Sequence, residues 1–297
     1  MAVHQFTGNL SRMGKDKMKI AVVTTFHEEG LKKYGQRMID GFCENWPEEI
    51  TLHIYPEKCN PIIRNHKHVT LFSLDDVQEL MTFKNKWKDV PKANGDVSGD
   101  PVRGGRKDSK KEFKWHAVRF AHKVYAIFHC AKTTDADILL WMDADMVCHS
   151  AITREKVLEL CSPSFDLCYL GRAGKYSECG LYAMNLRSPA TKKFLETFQR
   201  YYDDAENGIF TLGEWHDSFV FDAVRKTVPE LKQLNWSQQL GDLRPSKTNS
   251  VGEGHPLINC EWGGYLDHLK GDRKDHGHSL QTDLKVNRLE KYWSTFK

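Results

Sequence analysis

The chain has 297 residues, 40% of them hydrophobic and 28% charged, with a formal net charge of +3. That composition supports a sizeable core and excludes global disorder, and so small a charge excess does not by itself mark a nucleic-acid binder. The length allows one large domain or two small ones, and no stretch is long and apolar enough for a membrane span. Residues 1–17 are polar, lack the apolar core of a signal peptide and are expected to form a flexible leader, with Met13 and Met18 as alternative starts. The eight cysteines show no C-x-x-C pair or framework spacing. They are expected to be reduced core residues of a cytoplasmic protein.

From Met18 onward a single domain, 18–297, is expected. Ile20 to Phe26 is apolar and β-branched and predicts a first strand. Leu31, Tyr34, Met38, Ile39 and Phe42 have helical spacing over 30–45, and a second strand follows at Ile50–Tyr55, stopped by Pro56. This strand–helix–strand opening points to a Rossmann-like α/β sheet. Residues 92–112, with Gly95, Gly99, Pro101, Gly104 and Gly105 among many charges, predict a long mobile basic loop. A helix is expected from Phe113 to Ala131. Ile138-Leu-Leu-Trp-Met142 then predicts a buried strand, with further strands at 165–170 and 180–186 and helices at 190–203 and 216–226.

The strand at 138–142 runs into Asp143-Ala144-Asp145. Alternating side chains would place Asp143 and Asp145 on one face of the strand end. Two carboxylates after an apolar run are costly unless a cation neutralises them, and a hard ion such as Mn²⁺ or Mg²⁺ suits oxygen ligands. The competing reading is ordinary turn or helix-cap chemistry, for which Asp is common. Far downstream, His268-Leu-Lys-Gly271-Asp-Arg-Lys274 has the spacing H-x-x-G-x-x-K. An imidazole can complete a metal site, Gly lets the backbone approach a phosphate, and Lys supplies charge. The alternative is a solvated basic loop.

Together these motifs resemble GT-A glycosyltransferases of the glycogenin and bacterial galactosyltransferase type, family 8. There an Asp-x-Asp after an apolar strand pairs with a C-terminal H-x-x-G-x-x-K. The resemblance implies a GT-A type mixed sheet flanked by helices, with a C-terminal active-site segment over 241–297. It implies Asp143, Asp145 and His268 as metal ligands, and Asp143, Gly271 and Lys274 on the diphosphate of a nucleotide-sugar such as a UDP-sugar. Arg119, on the helix before the metal strand, is the nearest match to a donor-binding Arg. Gly180 and Asn185 match a strand that begins Asn-x-Gly in the family. Two departures stand out: no Pro-Trp follows Lys274, and the family's acid–Gln segment is replaced by Glu214-Trp-His-Asp217. Either acid, Asp217 first and Glu214 second, is a candidate to face the sugar, and Asp217 is equally a candidate helix N-cap. Retaining stereochemistry is implied by the resemblance.

Two other classes fit less well. Haloacid-dehalogenase-like phosphatases share Asp-x-Asp-x-Val but carry it on the first strand, and Gly241-Asp242 lacks their second acid. Nucleotidyltransferases bear a Gly-rich first turn, where this chain has Thr24-Thr25-Phe26-His27. Thr24 and Thr25 are candidate nucleoside contacts, as first strand–helix turns often are. Arg103 to Lys123 holds eight Lys/Arg against two acids, with aromatic residues interleaved. A track of that kind could follow DNA, against the plainer reading of a solvated loop and an ordinary helix; residues Gly264 to Lys274 also bear a weaker resemblance to phage enzymes that glycosylate hydroxymethylated bases, which points to such a base as acceptor. A glycan or lipid-linked saccharide is the alternative, with Trp215, Trp236 and Trp262 as platforms. A non-catalytic nucleotide-sugar- or DNA-binding relative is the third reading.

Overall fold

In the computed structural model the described residues are 18–100, 103, 112–172, 174–237 and 255–296. The expected leader, most of the segment 101–111 and residues 238–254 lie outside them. Nine strands are described. Seven form one sheet: β1 (Ile20–His27), β2 (Ile50–Glu57), β3 (Val69–Leu71), β4 (Ile138–Met142), β6 (Leu167–Leu170), β7 (Glu178–Asn185) and β8 (Gln233–Asn235). Their order is β3-β2-β1-β4-β7-β6-β8. β1 pairs in parallel with β2 and β4, whereas β7 runs antiparallel to both β4 and β6. The sheet is therefore mixed, as the resemblance implied. The remaining strands, β5 (Met146–Cys148) and β9 (Leu266–His268), form a separate antiparallel ribbon.

Strict alternation explains why the central strands read as unbroken apolar runs. In β1, Ala21 and Val23 enter one core while Ile20 and Val22 enter the other; in β4, Leu139 and Trp141 face the first and Ile138, Leu140 and Met142 the second. A strand covered on both faces has no polar side to show. The first core is roofed by α3 (Ala117–Thr133) and α5 (Pro189–Asp203), the second by α1 (Gln36–Asn45), whose Met38, Ile39 and Phe42 point inward; α2 (Gln78–Trp87), α4 (Arg154–Leu160) and α6 (Asp217–Arg225) complete the layers. Ser188 caps α5 through its hydroxyl, and Pro189 occupies the first turn, where a missing N–H is harmless.

Several boundaries differ from expectation. β2 continues through Pro56, because β3 ends opposite Ile54 and leaves Pro56 no partner on that side. The described part of 92–112 is not a loose loop: Pro91–Asn94 is a 3-10 turn, and Ala93 and Val97 are buried. The helix expected from Phe113 begins as a 3-10 turn at Phe113–Trp115 before α3. Trp215, Trp236 and Trp262 are almost completely buried, with exposures of 0%, 1% and 0%, which removes them as saccharide platforms. All eight cysteines are free, and six of them are buried. No described helix is long and apolar enough to cross a membrane.

Candidate active site

The order β3-β2-β1-β4 reverses chain direction of travel across the sheet between β1 and β4, and open α/β sheets place ligands in the crevice at such a switch point. Asp143 and Asp145 lie there on a turn, not on the strand itself. Met146 N–H donates to the Asp143 carbonyl at 3.1 Å, and Asp143 N–H donates to the Gly180 carbonyl at 2.8 Å. The two carboxylates converge through the turn rather than through strand alternation. The chain then enters β5, and β9 returns from far downstream to pair with it, setting His268 opposite Met146. Leu269 N–H closes the ribbon on the Asp145 carbonyl at 2.9 Å. This pairing carries His268 to the aspartates across more than a hundred residues.

His268 Nε2 lies 3.1 Å from Asp145 Oδ1 and 3.8 Å from Asp143 Oδ2. One ligand atom from each of the three lies within 4.8 Å of the others. Lys274, on the short helix Arg273–His276, reaches Asp145 Oδ2 at 2.8 Å, and its ammonium sits 5.1 Å from the Tyr34 ring centre. Gly271 takes φ +63°, a left-handed turn that suits glycine and opens the chain before that helix. Asp267, fully buried, accepts from Ser279 N–H at 2.7 Å and from the Tyr292 hydroxyl at 2.8 Å, so the segment that carries His268 is tied down from below. Gly180 leaves room for the imidazole: a Cβ there would lie 2.5 Å from His268 Cε1.

The central cation is Lys123, on α3 one turn beyond Arg119. Its ammonium contacts Asp217 Oδ2 at 2.6 Å and Asp143 Oδ1 at 2.9 Å, and donates to the Cys179 carbonyl at 2.6 Å. Nothing in its sequence position separated it from the other basic residues of that stretch. Asp143 also accepts from Trp141 Nε1 at 2.7 Å. Asp217 is the first residue of α6, and the N-cap is His216, whose ring accepts from Phe219 N–H. The Asp217 carboxylate is thereby left to the cleft. Glu214 points elsewhere, bound to His216 Nε2 at 3.0 Å and to Lys114 at 3.3 Å.

Charge follows these contacts. Burial disfavours ionisation of Asp145, but His268 and Lys274 beside it prevail and hold its carboxyl well below the usual range. Burial likewise opposes charge on His268, yet Asp145 raises its pKa above 6.5. For Asp143 burial wins over Lys123, with the like charge of Asp145 adding, and its pKa rises. Burial opposes ionisation of Asp217 too, but Lys123 and His216 together prevail and lower its pKa. Tyr34 is pushed up to about 12, by burial first and then by Asp145 and Asp143.

Two clefts meet at Lys123 and Lys274. One, of about 640 Å³, is lined by Thr25, Phe26, Tyr34, His116 and Arg119 among others. The other, of about 440 Å³, contains Asp143, Asp145, Asp217 and His268 with Phe113, Phe120 and Tyr176. Thr25 lines the first cleft, although its hydroxyl donates to the Tyr55 carbonyl at 2.6 Å. Thr24 is fully buried in the sheet and lines neither cleft.

No protein-family model matches the sequence, and no curated protein matches it. Solved structures give remote likenesses. The apo bifunctional glycosyltransferase WbbM shares 9% identity over 86% of this chain and 46% of its own, at a TM-score of 0.46. Mouse xyloside xylosyltransferase 1, in its apo form, shares 11% identity over 72% of this chain and 84% of its own, at 0.43. The glycosyltransferase GlyE of Streptococcus pneumoniae TIGR4 shares 9% identity over 74% and 46%, at 0.40. The chain thus spans about half the length of WbbM and of GlyE. Likenesses this slight leave function to be read from the residues.

Proposed function

We propose that this chain is a metal-dependent glycosyltransferase that moves a sugar from a nucleoside-diphosphate sugar, a UDP-sugar by resemblance, to a hydroxyl acceptor. The observation that carries the reading is the meeting of Asp143, Asp145 and His268 at the junction of two clefts, with Lys274 alongside. Two carboxylates and one imidazole form a donor set suited to Mn²⁺ or Mg²⁺, and their ligand atoms are close enough to share one ion. Those three residues would hold it, and the bound ion supplies Lewis-acid stabilisation to a leaving diphosphate.

The chain's own groups account for the rest. The larger cleft, with Thr25 and Arg119, suits the nucleoside side of the donor; Lys274 and Arg119 supply positive charge for phosphate oxygens. Asp217, kept ionised by Lys123, offers negative charge to an anomeric carbon that becomes cationic as its bond to phosphate loosens. Glu214, engaged with His216 and Lys114, is the weaker candidate. Retention of configuration rests on the family resemblance.

For the acceptor, the aromatic walls of the smaller cleft favour a saccharide hydroxyl. Within the basic stretch proposed to track DNA, Arg103 is buried against the Leu212 and Gly213 carbonyls and Asp100, while Lys114 and Lys123 are paired with acids. Four of its eight cations lie outside the described residues. A hydroxymethylated base therefore becomes the second reading, supported by Phe113, which is 52% exposed at the cleft. Calorimetry of nucleoside diphosphates with and without Mn²⁺, followed by turnover with each acceptor, tests the whole reading. Mn²⁺-dependent binding is expected; its absence overturns the enzyme assignment in favour of a binding relative. Acceptor binding that collapses between low and moderate salt would select DNA over a saccharide.

A further inference from the structure

The smaller cleft is unevenly charged. On the side it shares with the larger cleft, Asp143, Asp145 and Asp217 face Lys123 and Lys274, three carboxylates against two ammonium groups. A divalent cation would make good that shortfall of positive charge. On the other side the balance reverses. Arg172, Lys175 and Lys270 line the cleft there with a single carboxylate, Glu178. Even without Lys175, two cations stand against one anion.

These cations are held in place by the fold. Glu178 opens β7 and is only 3% exposed. Its Oε2 accepts from Lys270 Nζ at 2.6 Å and faces Arg172 Nη1 at 3.6 Å, while the imidazoles of His255 and His268 stand off at 3.6 and 3.7 Å. A buried carboxylate beneath two cations fixes their direction without cancelling their charge, and the Lys270 side chain stays 46% exposed. Arg172 lies on the link between β6 and β7, and its Nε donates to the Tyr176 carbonyl at 2.7 Å. Both ends of that link are fastened: Gly171 N–H donates to Asn235 Oδ1 at 2.8 Å and Ser177 N–H to Asp222 Oδ2 at 2.9 Å. Gly174 makes the turn between them at φ +69°. The same cleft has an aromatic wall, where the Tyr176 and Phe113 rings pack on His216 at 4.8 and 5.9 Å between centres.

We propose, resting on the glycosyltransferase reading above, that the acceptor is an acidic saccharide, its phosphate or carboxylate held by Arg172 and Lys270 while Phe113 and Tyr176 take the sugar ring. A guanidinium grips an oxyanion through two N–H groups at once, and an ammonium adds a point charge beside it. A neutral sugar leaves the surplus on this side unanswered; an anion balances it. The donor makes no such claim on these residues. Arg119, assigned to its phosphates, lines only the larger cleft, whereas Arg172 and Lys270 line only the smaller one. The aromatic wall suits a compact acid better than a polyanion, which is read through a long basic track.

The test is calorimetric titration of glucose, glucose 6-phosphate and glucuronic acid into the full chain saturated with UDP and Mn²⁺, so that the donor side is occupied. At least one acid is expected to bind about tenfold tighter than glucose, the worth of a charge-assisted contact. A lead for the phosphate or for the glucuronate identifies which oxyanion the site takes. Arg172→Met should remove most of that advantage while glucose binds as before. Lys270→Gln should do the same, and its amide still donates to Glu178. The wild-type comparison stands whether or not either variant folds. Equal affinity for all three sugars overturns the proposal, as does a preference for acids that survives both substitutions. A parallel fall in UDP affinity would put these cations on the donor and overturn it as well. So would tight, salt-sensitive binding of hydroxymethylated duplex DNA with no preference among the sugars, which selects nucleic acid. If UDP does not bind with Mn²⁺, the glycosyltransferase reading fails, and the same titrations without UDP still decide whether Arg172 and Lys270 select an acid.

Discussion

The two clefts share Lys123 and Lys274 but hold charge in opposite ways. In the larger one Arg119 is an exposed cation with no salt bridge among the described residues, and the walls are otherwise neutral or mixed. In the smaller one every carboxylate is already matched: Asp143 and Asp217 by Lys123, Asp145 by His268 and Lys274, Glu178 by Lys270. An exposed cation can attract a phosphate from solution at little cost. A buried, matched pair has met its desolvation cost beforehand and can only exchange partners. On the proposed reading, the contrast gives capture to one cleft and chemistry to the other.

The largest break should come where both clefts depend on one residue. Asp145→Ala is expected to abolish Mn²⁺-dependent nucleotide binding and lower kcat/KM by about a thousandfold, roughly 4 kcal/mol of transition-state stabilisation. Unchanged donor turnover would dissolve the metal site. Next, Lys123→Met strands Asp143 and Asp217 without a counter-charge and should cost about 3 kcal/mol of stability in urea unfolding, recovered in part by Mn²⁺. A wild-type midpoint would show that Lys123 does not hold the pair.

A sharper division comes from one substitution on each side. Arg119→Ala should raise the donor KM about tenfold and leave the acceptor KM alone, the loss of one charge-assisted phosphate contact. Phe113→Ala should do the reverse, by several-fold, near 1 kcal/mol for one aromatic surface. Parallel effects on both substrates would merge the clefts into one. The smallest effect concerns Glu57, on the wall of the larger cleft. Contact with His122 at 3.1 Å outweighs partial burial and, with help from Lys84, pushes its carboxyl down to about 2 from 4.5. A depressed folded pKa means stability present above 4.5 and lost as pH falls toward 2. Between those values Glu57→Gln should lose less stability than the wild type, by under about 1 kcal/mol because the pair is partly exposed.

What could be read in advance divides along physical lines. Asp143, Asp145, His268 and Lys274 were legible because few roles suit that combination of residue types at that spacing, and the fold brings all four together. The apolar strands were legible because their double burial erases any polar face. Lys123 was not, since a lysine among eight cations gives no sign of which one turns inward. The tryptophans misled for a related reason: large rings serve equally well as platforms and as core, and only the packing of Trp46, Trp236 and Trp262 against one another decides. Glu178 had no signal at all, because its partners, His255, His268 and Lys270, arrive from the far end of the chain.

The ribbon of β5 and β9 also sets a timetable. The main sheet is complete through β8 at Asn235, while the proposed third ligand, His268, and the proposed diphosphate contact, Lys274, come only afterwards. During synthesis the Asp143–Asp145 turn is thus made long before its histidine exists, with Lys123 as the cation able to compensate it from within the emerging sheet. Lys33 with Asp275 at 2.6 Å, and Arg37 with the Gly277 carbonyl at 2.6 Å, then join the first helix to the last-arriving segment. On the proposed reading the three-ligand site is complete only when the three-residue strand β9 docks, and the same segment brings Trp262, Leu266 and Trp293 to finish the second core.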